Sequence, residues 1–186
     1  MNDIALPARD RILVTAHDLF YRDGLRATGV DRIIAESGVA KLTFYRHFPA
    51  KDELIKAFLN YRHERWMAWF VDALGRHGAV AGGGLLPLVG AMREWFEDPL
   101  FRGCAFINAI AEMGGSQPAV AQIAQSHKDD MLRAIEGLLP AKDEALASAA
   151  ALAVDGAIVR AQMNSGKQKK SALDGLRQVL MALERA

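Results

Sequence analysis

Between residues 41 and 51 the chain places Lys41, Thr43, Tyr45, Arg46, His47 and Lys51, with no Asp or Glu among them. All six side chains can donate hydrogen bonds, and three are permanent cations, so the chemistry on offer is recognition of an anion. Lys51 follows a turn at Pro49-Ala50 and falls in the first turn of a helix. The free N–H groups there already favour phosphate. Read alone, each residue is ordinary: Tyr45 is a rim aromatic, His47 a structural histidine, Lys51 a solvated charge. On one face they form a surface for double-stranded DNA.

That face needs a scaffold. Val30, Ile33 and Ile34 recur at helical spacing, and Val39, Leu42 and Phe44 resume after Gly38. Gly38 stands where the first helix must stop, because glycine takes the left-handed conformation at little cost. So short a turn makes the two helices cross steeply over a small core of Ile33, Ile34, Val39, Phe44 and Phe48. The layout is a helix-turn-helix, whose second helix enters the major groove.

Gly38, Val39, Thr43, Phe44, Tyr45, His47, Phe48 and Lys51 match in register the pattern G-V-[small]-x-G-T-[LF]-Y-x-[HY]-F-x-x-K. In this the segment resembles the DNA-binding domain of the tetracycline-repressor (TetR) family. Ala40 stands where that family often has a capping Ser, a loss of ~1 kcal/mol. Leu42 replaces a common Gly and brings an apolar side chain near the bases. The DNA-contacting candidates are Thr28, Lys41, Leu42, Thr43, Tyr45, Arg46, His47 and Lys51. The resemblance implies an all-α regulator of about nine helices. Residues 1–50 would form the DNA-binding domain, and residues 51–186 an effector-binding and dimerisation domain.

The remaining pattern is helical throughout. Helices are expected over about Pro7–Arg22, Lys51–Leu74, Leu85–Glu97, Phe101–Met113, Pro118–Leu139, Lys142–Asn164 and Lys170–Arg185, with a Gly-rich loop over 75–84. Small residues of the eighth helix, Ala149, Ala153, Gly156 and Ala157, suit close approach. With Leu173, Leu176, Val179, Leu180 and Leu183 of the ninth they form the candidate homodimer seam. Trp66, Trp69, Phe70, Trp95, Phe96, Cys104, Phe106, Ile107 and Asn108 are candidates for the wall of a site for a small apolar or aromatic effector. The same aromatics would equally serve as core. Asn108 would fix a ligand or cap a backbone group.

Composition narrows the classes. The 186 residues carry a net charge of +1 and are 51% hydrophobic, enough for a substantial core but too neutral for a non-specific nucleic-acid coat. No apolar run reaches the ~18 residues of a membrane span, and the N-terminus lacks a signal-peptide pattern. A single cysteine excludes an intramolecular disulfide, and a cytoplasmic location is the simplest reading. Nucleophile elbow, P-loop, dinucleotide fingerprint and metal tetrad are absent from the sequence, so no enzyme, cofactor or metal site is expected. The reading is a repressor that binds a palindromic operator as a dimer and is released by its effector. Alternatives are a repressor sensing electrophiles or oxidants through Cys104, and a helical small-molecule carrier.

Overall fold

A computed structural model describes residues 6–163 and 166–185. Among the described residues there are nine helices and no strand: α1 (Ala8–Asp23), α2 (Val30–Ser37), α3 (Lys41–His47), α4 (Lys51–Arg76), α5 (Pro87–Glu97), α6 (Ala105–Met113), α7 (Pro118–Glu136), α8 (Glu144–Gln162) and α9 (Gly166–Leu183). None is long and apolar enough to cross a membrane. The chain divides into two compact units, residues 1–63 with 105–124, and 64–104 with 125–186.

In the first unit α1 buries Ile12, Leu13, Ala16, Leu19 and Phe20, an amphipathic stripe. Gly24 ends it at φ 94, a conformation that favours glycine. The Arg11 guanidinium reaches across to the last turn of α2 and donates from Nε to the Ser37 carbonyl (3.3 Å). The first half of α4 adds Leu54, Ile55, Phe58 and Leu59, none more than 1% exposed. The Phe58 ring lies 5.4 Å from that of Phe20. Of the small helix-turn-helix core, Ile33, Val39, Phe44 and Phe48 are buried and Ile34 is half-buried.

The second unit is built on α5, α8 and α9, which pack on one another. Asp143 caps α8 by accepting from the Leu146 N–H (2.9 Å). Lys128 of α7 and Asp155 of α8 pair at 2.5 Å. Glu94 of α5 accepts from Arg76, Trp69 and His77 of the α4 end. The Arg76 hydrogen bond, with smaller help from Trp69 and His77, holds its carboxyl below the usual carboxylate range.

The two largest departures from the expected boundaries, each of four residues, are at helix starts. Helix α6 begins at Ala105 rather than near Phe101. Asp98 accepts from the Leu100 N–H (2.7 Å) and Gly103 adopts φ 82, so the chain turns before it can coil. Helix α9 begins at Gly166, four residues before the expected Lys170. The expected end of the eighth helix, Asn164, lies outside the described residues.

Neighbouring positions on α3 should respond oppositely to truncation. Phe44 is fully buried and Leu42 is 73% exposed. Phe44→Ala should lower the unfolding free energy by ~3–5 kcal/mol, and Leu42→Ala should change it by less than ~0.5 kcal/mol. Urea denaturation checks both; equal losses would contradict this burial pattern.

Candidate functional site

Helix α3 has seven residues and its N-cap, Ala40, makes no side-chain cap. Its position is set from outside. Gly38 reverses the chain at φ 64, ψ 32, Phe44 anchors one face, and Phe48 buries just past the end. With Phe44 inward, Lys41, Leu42, Tyr45, Arg46 and His47 are all exposed and Thr43 is half-buried. The Tyr45 ring stands edge-on to Phe44 at 5.2 Å, which fixes its direction while the hydroxyl end stays open. Lys41 lies 3.6 Å from Asp31, but both side chains are largely exposed, so the pair is weak and easily exchanged for another anion. The other α2 acid, Glu36, is taken by Arg32 (2.7 Å).

Lys51 opens α4 as the sequence predicts. Its ammonium lies 6.0 Å from the Phe20 ring centroid. Partial burial pushes its pKa below the ordinary lysine value of 10.5, against the opposing pull of Glu112 and Asp52. Thr28 requires a correction. It is fully buried, and its hydroxyl donates to the Gly24 carbonyl (2.8 Å). A group so enclosed ties the loop together and cannot reach a phosphate, so it leaves the DNA-contacting set.

The aromatic candidates separate by unit. In the second unit Trp66, Trp69, Phe70, Trp95 and Phe96 form one cluster. Trp66 stacks on Phe70 at 4.7 Å, meets Trp95 at 5.3 Å and His127 at 5.0 Å, and Trp69 lies 6.0 Å from Trp95. Within it the buried Trp66 Nε1 has no hydrogen-bond partner, an arrangement that costs ~1–3 kcal/mol in a protein interior. Cys104 belongs to the same unit and is 3% exposed. It precedes the first turn of α6 rather than lying in it. Phe106, Ile107 and Asn108 belong to the first unit, Phe106 buried and the other two half-buried. A separate cleft of about 450 Å³, lined among others by His77, Leu86, Gly90, Arg93 and Arg177, includes none of these candidates.

The candidate seam divides as well. Ala157, Leu173, Leu176 and Leu180 are buried within the chain's own packing; a four-helix seam cannot use side chains already covered. Ala149, Ala153 and Leu183 are half-buried, while Gly156 and Val179 are exposed. Exposed beside them are Leu152 and Val159 of α8 and Met163 at its C-cap, at 70%, 41% and 69%. Leu152, Gly156, Val159 and Met163 recur at intervals of four, three and four residues, one helical face.

One residue that sequence reasoning missed is Glu112, at the end of α6. Its carboxylate accepts from the Leu25 and Arg26 N–H groups at 3.1 and 2.8 Å. The partners lie 87 and 86 residues away, and no local pattern signals such a pairing. Among the described residues no group of three His, Cys, Asp or Glu side chains could hold a metal.

Comparison with known proteins places this geometry. The model of the family "Bacterial regulatory proteins, tetR family" matches residues 12–58, the span from α1 into α4. The HTH-type transcriptional regulator UidR of Escherichia coli (strain K12) is 33% identical over 74 residues, 40% of this chain and 38% of UidR. The chain thus spans well under half the length of that curated relative. A crystal structure of a TetR-family transcriptional regulator from Streptomyces coelicolor superposes with a TM-score of 0.80 at 31% identity, covering 95% of both chains. A second, titled a putative TetR transcriptional regulator, from Streptomyces avermitilis, gives 0.75 at 25% identity over 96% of this chain and 99% of that one. A helix-turn-helix in the matched segment, and likeness at 31% identity over nearly the whole length, make one conclusion: this chain belongs to the TetR family of transcriptional regulators, and is a regulator rather than an enzyme.

Proposed function

We propose that the chain is a cytoplasmic, dimeric repressor. Residues 1 to about 50 bind a palindromic double-stranded operator; residues from about 51 to 186 dimerise and bind a small effector that releases the DNA. The observation that carries this reading is the outward face of α3, where Lys41, Leu42, Tyr45, Arg46 and His47 are exposed with no carboxylate among them. Lys41, Leu42 and Thr43 at the start of α3 meet base edges, and Leu42 offers an apolar contact for a thymine methyl. Tyr45 and Lys51 hold phosphates, which position the head without reading sequence. The direct test is selection from a randomised duplex pool: an inverted repeat should be enriched, and no enrichment overturns the reading.

Lys51 gives a pH test. Burial lowers its pKa, so it loses its proton at a lower pH than an ordinary lysine, while a phosphate contact needs the charged form. Operator affinity should therefore hold at neutral pH and fall as the pH rises through the alkaline range below 10.5. Lys51→Arg, charged to beyond pH ~12, should keep affinity flat there. Lys51→Ala should lower the slope of log affinity against log salt by about one. Fluorescence anisotropy reads all three; identical pH and salt profiles in wild type and both variants would remove Lys51 from the interface.

One helix-turn-helix reads only a few base pairs, so two recognition helices must be held at a fixed spacing. The open face of Leu152, Gly156 and Val159 on α8 and Met163 at its C-cap, with Val179 on α9, supports dimerisation there. Leu152→Glu puts a charge on that face and should give monomers by sedimentation with little change in melting temperature. Operator binding should fall by at least about tenfold, since both half-sites are needed. A wild-type monomer at micromolar concentration would refute the dimer.

The aromatic cluster supports the effector reading. Its rings pack closely, so a ligand enters by displacing them and selects a state whose recognition helices no longer match successive major grooves. The unpartnered Trp66 Nε1 favours an aromatic ligand carrying a hydrogen-bond acceptor. An aromatic carboxylate or ketone should quench tryptophan fluorescence and release operator in parallel, and Trp66→Phe should weaken it about tenfold, the worth of one buried hydrogen bond. Quenching without release would leave the cluster a core only. Sensing through Cys104 is the weaker reading, because a thiol 3% exposed is screened from an electrophile.

A further inference from the structure

The Glu112 carboxylate accepts from two consecutive backbone N–H groups, Leu25 to Oε1 at 3.1 Å and Arg26 to Oε2 at 2.8 Å. The contact is returned, since the Arg26 Nε donates to the Glu112 carbonyl at 2.7 Å. These groups belong to the loop between α1 and α2, where no helix supplies acceptors. The same loop is held from inside by buried Leu25 and by the Thr28 hydroxyl on the Gly24 carbonyl. Gly24 makes room for the clamp: a Cβ there would lie 3.2 Å from Glu112 Oε1, on a backbone already at φ +94. Charge-assisted hydrogen bonds of this kind are about twice as strong as neutral ones.

Helix α2 starts at Val30 with Gly29 as its cap and no side-chain cap. It enters directly from the clamped loop, which together with the α1 packing and the Arg11–Ser37 tie sets its direction, and α3 follows across Gly38. We propose that Glu112 is a positioning residue for operator recognition: from α6 it fixes the α1–α2 loop, and through it the one arrangement of α2 and α3 that a specific site accepts. This rests on the DNA-binding reading above. Specific recognition needs a single geometry of the recognition helix, whereas attraction of Lys and Arg to phosphates tolerates many. Freeing the loop spreads the head over several arrangements and lowers the fraction competent for specific binding. Sequence-specific affinity should fall while non-specific affinity holds.

The experiment uses the full chain and two duplexes, one enriched by wild type from a randomised pool and one scrambled. Glu112→Ala removes both acceptors. Glu112→Gln keeps the shape but turns an NH₂ donor toward one of the two N–H groups. Both should weaken the enriched duplex about tenfold, ~1.4 kcal/mol, and leave the scrambled duplex within about twofold. Hydrogen exchange without DNA gives a reading that survives poor folding of either variant: in wild type the Leu25 and Arg26 amides should be protected, and in a folded variant they should exchange faster. Equal losses on both duplexes would make Glu112 a support of the fold and overturn the proposal. So would unchanged affinity, or wild-type Leu25 and Arg26 amides exchanging like open loop amides. A wild type that enriches no duplex fails at the earlier step, and overturns the DNA reading together with this one.

Discussion

A seven-residue helix without a side-chain cap has no stability of its own in water, since nucleation is costly and too few hydrogen bonds follow. Helix α3 exists because Phe44 is buried completely and Phe48 nearly so. That burial is the constraint from which the rest of the head follows. With Phe44 inward, the helical period puts Leu42, Tyr45 and Arg46 outward, and Lys41 is exposed at the helix start. The left-handed turn at Gly38 and the Arg11–Ser37 tie then fix where that face points within its unit. Precision comes from the neighbours of α3, so a defect far from it in sequence can change what it presents.

Charge is distributed to the same end. The net charge of +1 leaves no broad field, and several carboxylates of the first unit are taken up by partners away from α3. Asp23 bridges Arg22 and Arg32, each at 2.9 Å, and Glu36 pairs with Arg32. Glu112 spends both oxygens on backbone N–H groups. Among the described residues only the Asp31–Lys41 pair reaches the α3 face, at 3.6 Å and in solvent, where an ion pair is weak.

In the second unit apolar surface has two destinations. Leu173, Leu176 and Leu180 of α9 and Val154 and Ile158 of α8 fill the chain's own core. Leu152, Val159 and Met163 are left outside. The Trp66 cluster shows a related tension: large rings give compactness, yet one indole N–H is enclosed without an acceptor. Apolar burial dominates the energy there and tolerates a polar loss of ~1–3 kcal/mol.

The sequence by itself determined the helices, because periodicity, Gly and Pro act over a few residues. It determined the turn at Gly38 and the family, through eight positions in register from Gly38 to Lys51. It could not separate Leu176, which is buried, from Val179, which is exposed, one turn apart on the same helix. Both are aliphatic, and only the packing of α8 and α5 on α9 decides which side is covered. It did not reveal that Thr28 is enclosed, since a hydroxyl reads as polar until its acceptor, the Gly24 carbonyl, is in place. Nor did it reveal Glu112, whose partners are more than eighty residues away. Local propensity reaches a few turns along the chain; a carboxylate on two distant N–H groups exists only after tertiary folding has brought them within 3.1 Å.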